Sequence, residues 1–122
     1  MANILLVDDN VGLLKMQSEF LRGAGHKVTT APDGKEALRL TQDQVFDLVV
    51  TDLVMPEKEG IETIIELRRK IPTMKIIAMS GGGRVDAKDY LMLAQKLGAA
   101  KTLAKPFSGK ELVEAVASVL SA

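Results

Sequence analysis

The sequence predicts an α/β domain built on a parallel sheet with helices on both faces, and three observations predict it. Short apolar runs alternate with longer amphipathic stretches along the whole chain. The apolar runs are continuous rather than alternating with polar residues, as in strands buried on both faces. Each strand-plus-helix unit takes roughly 20–25 residues, the length of a βα step, and the pattern recurs without the units resembling one another. At 122 residues, 47% hydrophobic and 26% charged, the chain has the size and apolar content of one domain with a single folded core. No linker or low-complexity segment divides it.

Asn3 to Asp8 is the first strand, four apolar residues between polar ends. Val11, Leu14, Phe20 and Leu21 mark the helix that follows, and Gly23 and Gly25 stop it. Lys27 to Ala31 is a β-branched second strand cut by the turn residues Pro32-Asp33-Gly34. A short helix from Glu36 to about Gln42 turns Ala37, Leu38 and Thr41 inward. Asp47 to Asp52 is the third strand. Met55, Pro56 and Gly60 bracket a loop before a helix lined by Ile61, Ile64, Ile65 and Leu67, which Pro72 ends. Lys75 to Ser80 is the fourth strand, followed by Gly81-Gly82-Gly83 and a helix from Asp86 to Leu97. Ala100 to Ala104 is the fifth strand. Ser108 and Glu111 have the spacing of a capping box, and Leu112, Val113, Val116 and Leu120 give the last helix its core stripe.

Composition excludes several function classes. Sixteen basic and sixteen acidic residues cancel, which argues against a chain-wide nucleic-acid binder. The cancellation hides an asymmetry, because residues 1–61 hold ten acids and six bases and residues 62–122 the reverse. With no Cys there is no disulfide, thiol nucleophile or thiolate metal site. The single His26 excludes a multi-histidine zinc site and falls on an expected surface turn. The six Met residues suit core filling, and Arg68-Arg69-Lys70 a solvated helix end. The longest apolar run is five residues, Tyr90 to Ala94, against the ~18 needed to span a bilayer. The first nine residues carry no basic leader and already include Asp8 and Asp9, so a soluble intracellular domain is expected.

In open α/β sheets, ligands bind beyond the carboxyl ends of the strands. Those ends carry Asp8 and Asp9, then Asp52, Ser80 and Lys105, from four different strands. Each has a plain structural alternative: helix capping for Asp8, Asp9 and Asn10, a strand-terminating loop residue for Asp52, a strand end for Ser80, a solvated turn for Lys105. Their shared rim favours a common site. Converging carboxylates repel and need a counter-charge, which a hard divalent cation such as Mg2+ supplies through oxygen ligands. A carboxylate in that setting can accept a phosphoryl group, with Ser80 and Lys105 placed to neutralise its oxygens.

Val7 to Asp9, Thr51 to Pro56 with Asp52 inside it, Ser80 behind an apolar strand, and Lys105 to Phe107 together resemble the receiver domain of two-component response regulators, the single-domain chemotaxis type above all. The similarity spans residues 1–122 in order, as one domain. It implies a flavodoxin-like (βα)5 doubly wound parallel sheet with strand order 2-1-3-4-5. It also implies a switch in which a phosphohistidine donor passes its phosphoryl group to Asp52, with Mg2+ present and conformational output to a partner. Asp9 would bind Mg2+ directly and Asp8 mostly through water, with Asp52 and the backbone carbonyl of Val54 completing the set. Ser80 and Lys105 would hold the phosphoryl oxygens, and the Lys105–Pro106 bond would be cis. The resemblance makes the chain no enzyme beyond its own phosphorylation and slow autodephosphorylation, and gives it no organic cofactor. It places it in the cytoplasm, served by a sensor histidine kinase or histidine phosphotransfer protein. An unidentified output partner would use helix 86–97, strand 100–104 and helix 108–121, with no direct nucleic-acid contact and no membrane.

The chain departs from that family at Thr102, where an aromatic residue is usual three positions before the lysine. Output would then travel through the loop after Ser80, the helix 86–97 or a smaller movement of Thr102. Gly81 to Gly83 fit either a segment ordered by phosphorylation or a plain flexible connection. Val54 and Gly82 offer no polar side chain near an attacking water, which suits slow hydrolysis. A haloacid-dehalogenase-type hydrolase wants a second acid two residues after its nucleophile, where Val54 stands. An inactive pseudo-receiver is disfavoured by the intact set of Asp8, Asp9, Asp52, Ser80 and Lys105.

Overall fold

The computed structural model describes residues 2–53, 60–81, 92 and 95–121. Among these residues run β1 (Asn3–Val7), α1 (Val11–Gly23), β2 (Lys27–Ala31), α2 (Gly34–Asp43), β3 (Leu48–Asp52), α3 (Gly60–Lys70), β4 (Lys75–Gly81), β5 (Lys101–Lys105) and α4 (Gly109–Leu120). Most of the expected helix 86–97 lies outside them, as do Val54, Gly82 and Gly83.

All five strands pair in parallel, in the order β2-β1-β3-β4-β5. Successive residues of a strand point to opposite faces, and the core divides accordingly. Leu5, Val7, Val49, Ile76 and Ala78 face α2 and α3, where Ala37, Leu38, Ile64 and Leu67 meet them. Ile4, Leu6, Val50, Ile77 and Met79 face α1 and α4, where Leu14, Leu21, Leu112 and Val116 cover them. Both faces are dry, which explains why the strands read as unbroken apolar runs. Each fully buried Leu or Ile contributes about 1.5–3 kcal/mol.

Helix starts follow local hydrogen bonding. The Asn10 side chain accepts the Leu13 N–H at 3.1 Å and Asp33 accepts the Glu36 N–H at 2.8 Å. Because Asp33 caps it, α2 begins at Gly34, earlier than the Glu36 read from the apolar pattern. Ser108 and Glu111 form the expected capping box on α4.

Several helix positions differ from expectation. Val11, Phe20 and Ile65 are exposed at 73%, 45% and 41%, while the unexpected Gln17 and Ser18 are buried on α1. On α4 the fully buried residues are Leu112, Ala115, Val116 and Val119, with the expected Val113 and Leu120 packed partly buried at the stripe's edges. A helix stripe read from apolar identity alone cannot tell its edge from its centre when the partner surface is unknown. Arg68 is no freely solvated helix-end cation: Nη1 donates to the Pro72 carbonyl at 2.8 Å and Nη2 to the Gly98 carbonyl, tying α3 to the turn that feeds β5. His26 is half-buried, its Nδ1 accepting the Ala2 N–H at 3.3 Å.

Gly60 makes a close backbone approach to β3. A Cβ there would collide with the Asp52 carbonyl oxygen and the Leu53 Cα. The first residue of α3 is thus seated against the end of β3, with its N–H donating to the Leu53 carbonyl at 2.9 Å. Gly60→Ala should lower unfolding free energy by about 2 kcal/mol or more, since backbone must move to admit the methyl. Gly23→Ala, whose added methyl meets nothing within 4 Å, should leave stability unchanged or raise it by up to ~1 kcal/mol. Urea unfolding of both variants checks the contrast.

Candidate functional site

Strand pairing assembles the site. β1 lies between β2 and β3, so the chain leaving Val7 enters the rim beside the end of β3. The Asp8 N–H still donates to the Ala31 carbonyl of β2 at 3.2 Å, holding Asp8 at the sheet edge. Asn10 then takes the N-cap of α1, which settles the capping alternative: Asn10 caps, and Asp8 and Asp9 stay in the rim. Asp8, Asp9 and Asp52 each bring a carboxylate oxygen within 4.8 Å of the others. Asp8 and Asp52 are buried and Asp9 is exposed.

Lys105 reaches this group from β5, across 97 residues of sequence. Its Nζ donates to Asp8 Oδ2 at 2.8 Å and to Asp52 Oδ2 at 3.3 Å. Its side chain is only 19% exposed. Burial is the largest single influence on the ammonium and lowers its pKa. The hydrogen bond to Asp8 and the charges of Asp52 and Asp8, with the hydrogen bond to Asp52, together outweigh it and hold the group above the ordinary 10.5. Asp8 Oδ1 accepts the Asn10 N–H at 3.0 Å, so both Asp8 oxygens have donors.

Ser80, at 1% exposure, is level with Ala104 in the β4–β5 register, one residue before Lys105. Asp52 is level with Met79, so Ser80 stands one step farther out along the same edge. It borders the acidic group without hydrogen bonding to its carboxylates. Val54 lies outside the described residues. The Lys105–Pro106 peptide is cis, as expected. Thr102 is half-buried opposite Ala78.

Two supporting residues were not legible as site residues. Thr51 is fully buried and its Oγ1 donates to the Asp52 carbonyl at 3.0 Å. Gly60 packs on the same carbonyl from the other side of the loop. The sequence signal for Gly60 was its place directly before an amphipathic helix, which marks a helix start but not a contact eight residues back.

The donor set suits a hard cation. Three carboxylates within one ion's span, one exposed and two buried, offer oxygen ligands only. A doubly wound parallel sheet with such a group at its carboxyl edge defines an α/β module that gathers charge at its topological switch point.

The chain belongs to the response regulator receiver domain family, whose model matches residues 4–117. It is 40% identical over 120 residues to the transcriptional regulatory protein CpxR of Klebsiella pneumoniae, covering 98% of this chain and 50% of that protein. It is 35% identical to the transcriptional regulatory protein GlrR of Escherichia coli, covering 98% of this chain and 26% of the relative. The chain thus spans about half or less of these relatives' length. A solved receiver domain from Clostridium thermocellum superposes with a TM-score of 0.91 at 31% identity, covering 99% of this chain and 95% of the other. A CheY-like receiver domain from Methanospirillum hungatei gives 0.90 at 26%, covering 99% and 94%.

In the absence of divalent cations, Lys105 should titrate above 10.5, and Asp8→Asn should move it back toward that value. Because the folded value is raised, the ammonium's contribution to stability is complete below the ordinary lysine value and disappears as pH rises through the folded one. NMR of the Lys105 side chain against pH checks this; a midpoint below 10.5 in the wild type would contradict it.

Proposed function

We propose that this chain is a phosphoryl-accepting switch whose acceptor is Asp52. The observation that carries the reading is the meeting of Asp8, Asp9, Asp52 and Lys105 at one edge of the sheet. The donor is a phosphohistidine on a sensor histidine kinase or a histidine phosphotransfer protein. An Asp52 carboxylate oxygen attacks the phosphorus as the P–N bond to imidazole breaks, and the imidazole leaves with the bonding pair and takes up a proton. Lys105 pairs with the phosphoryl oxygens, and the Ser80 hydroxyl donates to one of them. Asp8, Asp9, Asp52 and the Val54 carbonyl would hold Mg2+, which supplies positive charge for the transferring oxygens.

Receiver domains act as signalling switches and are not generally classed as enzymes. The catalysis proposed for this chain is limited to its own phosphorylation and a slow loss of the group. Phosphorylation of Asp52 replaces its single carboxylate charge with a phosphoryl group carrying roughly −1.5 to −2 charges, drawing Ser80 inward and reorganising the segment after β4. Thr102 has no ring to fill or vacate a pocket, so output runs through that segment, residues 86–97, β5 and α4. The module is one domain, residues 1–122, working in the cytoplasm. Its two named relatives are transcriptional regulatory proteins of greater length, so any effect on transcription would use parts of a protein outside the matched region.

A small-molecule phosphodonor with Mg2+ should add one phosphate to the wild type, read by intact-mass spectrometry. Asp52→Asn should add none. Equal labelling of the Asn variant would show that another residue is the acceptor.

A further inference from the structure

A groove of about 530 Å³ lies along the seam between α1 and α4, in the size range of small-molecule sites. Leu13, Met16 and Phe20 of α1 line it with Leu112 of α4, and Pro106 and Phe107 of the loop leaving β5 complete the apolar wall. Met16 and Phe20 are exposed although both are large and apolar. Gly109, the first residue of α4, leaves room for the Phe20 ring, with which a Cβ there would collide. One lining residue breaks the apolar character. Gln17 is only 4% exposed, and its Oε1 has no hydrogen-bond partner among the described residues. A buried acceptor without a donor is costly, and this atom is withdrawn from water that could relieve it. A Gln carbonyl oxygen calls for an N–H or O–H donor. Lys105 is the one charged residue of the lining among the described residues, and its ammonium is already held by Asp8 and Asp52. A charged ligand would give up its hydration here without gaining a free counter-charge.

We propose that the α1–α4 groove binds a small neutral aromatic molecule that donates one N–H or O–H hydrogen bond to Gln17 Oε1. Phe20 and Phe107 offer ring contacts and Met16 a polarisable thioether, the surroundings an aromatic ring packs against best. Met16 is also the side chain that yields to admit the ligand, being long, unbranched and exposed. Pro106 and Phe107 directly follow Lys105, so a ligand seated against them bears on the loop that carries the lysine of the acidic rim. The inference is independent of the reading of Asp52 as a phosphoryl acceptor, and the two stand or fall separately.

The test titrates indole and phenol into the protein and follows backbone amides by NMR, with 1-methylindole and anisole as the same rings without the donor. Indole or phenol should saturably shift the amides of Gln17, Phe107 and Leu112, with a Kd of about 1 mM or below, and leave those of α2 in place. The methylated partner should bind about fivefold more weakly, the worth of one hydrogen bond. Gln17→Leu removes the acceptor and should bring donor and methylated partner within about twofold of each other. A fivefold gap that persists in a Gln17→Leu variant with wild-type circular dichroism overturns the hydrogen bond to Gln17. Should that variant not fold, the wild type alone decides, and equal affinity for each donor and its methylated partner overturns the proposal. It also falls if neither donor gives saturable shifts in the groove below about 10 mM. Shifts of the same amides on diluting the protein, with neither donor bound, would make the groove a contact between copies of this chain and overturn the proposal as well.

Discussion

The pairing of β1 with both β2 and β3 is the constraint on which the rest depends. It makes β1 a central strand, with Ile4 to Val7 at 0% exposure, and it forces the chain to reverse its winding direction there. Helices must then cover both faces, α1 and α4 on one and α2 and α3 on the other. The same reversal opens the rim between the ends of β1 and β3. The acids after Val7 and the acid ending β3 cannot avoid one another under this topology. The charge problem at the rim is a consequence of how the hydrophobic faces are buried.

That problem is resolved by a residue from the far end of the chain. β5 is an edge strand, partly exposed along its length, and Lys105 is its last residue. Two features hold this strand in register with the acids. Ala100 donates to the Ile76 carbonyl at 2.8 Å at its entry, and Arg68 ties α3 to the Gly98 carbonyl just upstream. Gly98 has φ 107°, a conformation that suits glycine, and a Cβ there would come within 2.8 Å of the Arg68 Nε. α3 is in turn seated on the Asp52 backbone through Gly60. The path from Asp52 through α3 to the start of β5 is therefore continuous packing, and the same strand returns to Asp52 through the Lys105 ammonium.

The fold was legible because burial on both faces writes unbroken apolar runs, and those runs name the strands almost to the residue. Lys27 to Ala31 needs no adjustment, β1, β3 and β4 shift by one at one end, and β5 shifts by one at both. Asp8, Asp9, Asp52 and Lys105 were legible because strand ends share a phase, and a parallel sheet gathers all its carboxyl ends on one side. The stripe edges of α1 and α4 were not, because Val11 and Phe20 are apolar without being covered. Nor were Thr51, Gly60 and Arg68. Their roles are contacts with backbone carbonyls, and a carbonyl leaves no mark in the sequence.

The balanced net charge acquires a structural meaning from this arrangement. Acids outnumber bases in residues 1–61 and bases outnumber acids in residues 62–122. Folding sets the carboxylates of Asp8 and Asp52 from the first half against Lys105 from the second, at a rim where all three are largely withdrawn from water. Neutrality summed over the chain therefore coexists with strong local fields of opposite sign. An ion pair between distant segments in such a place stabilises only while its partners remain matched, because each buried charge is costly alone. Adding a dianionic group to Asp52 breaks the match, and the segments that carry the two charges must readjust to one another. A switch needs an imbalance of this kind, created by one covalent change and relieved only by movement, and the two halves of this chain are charged so that the imbalance falls where Asp52 is.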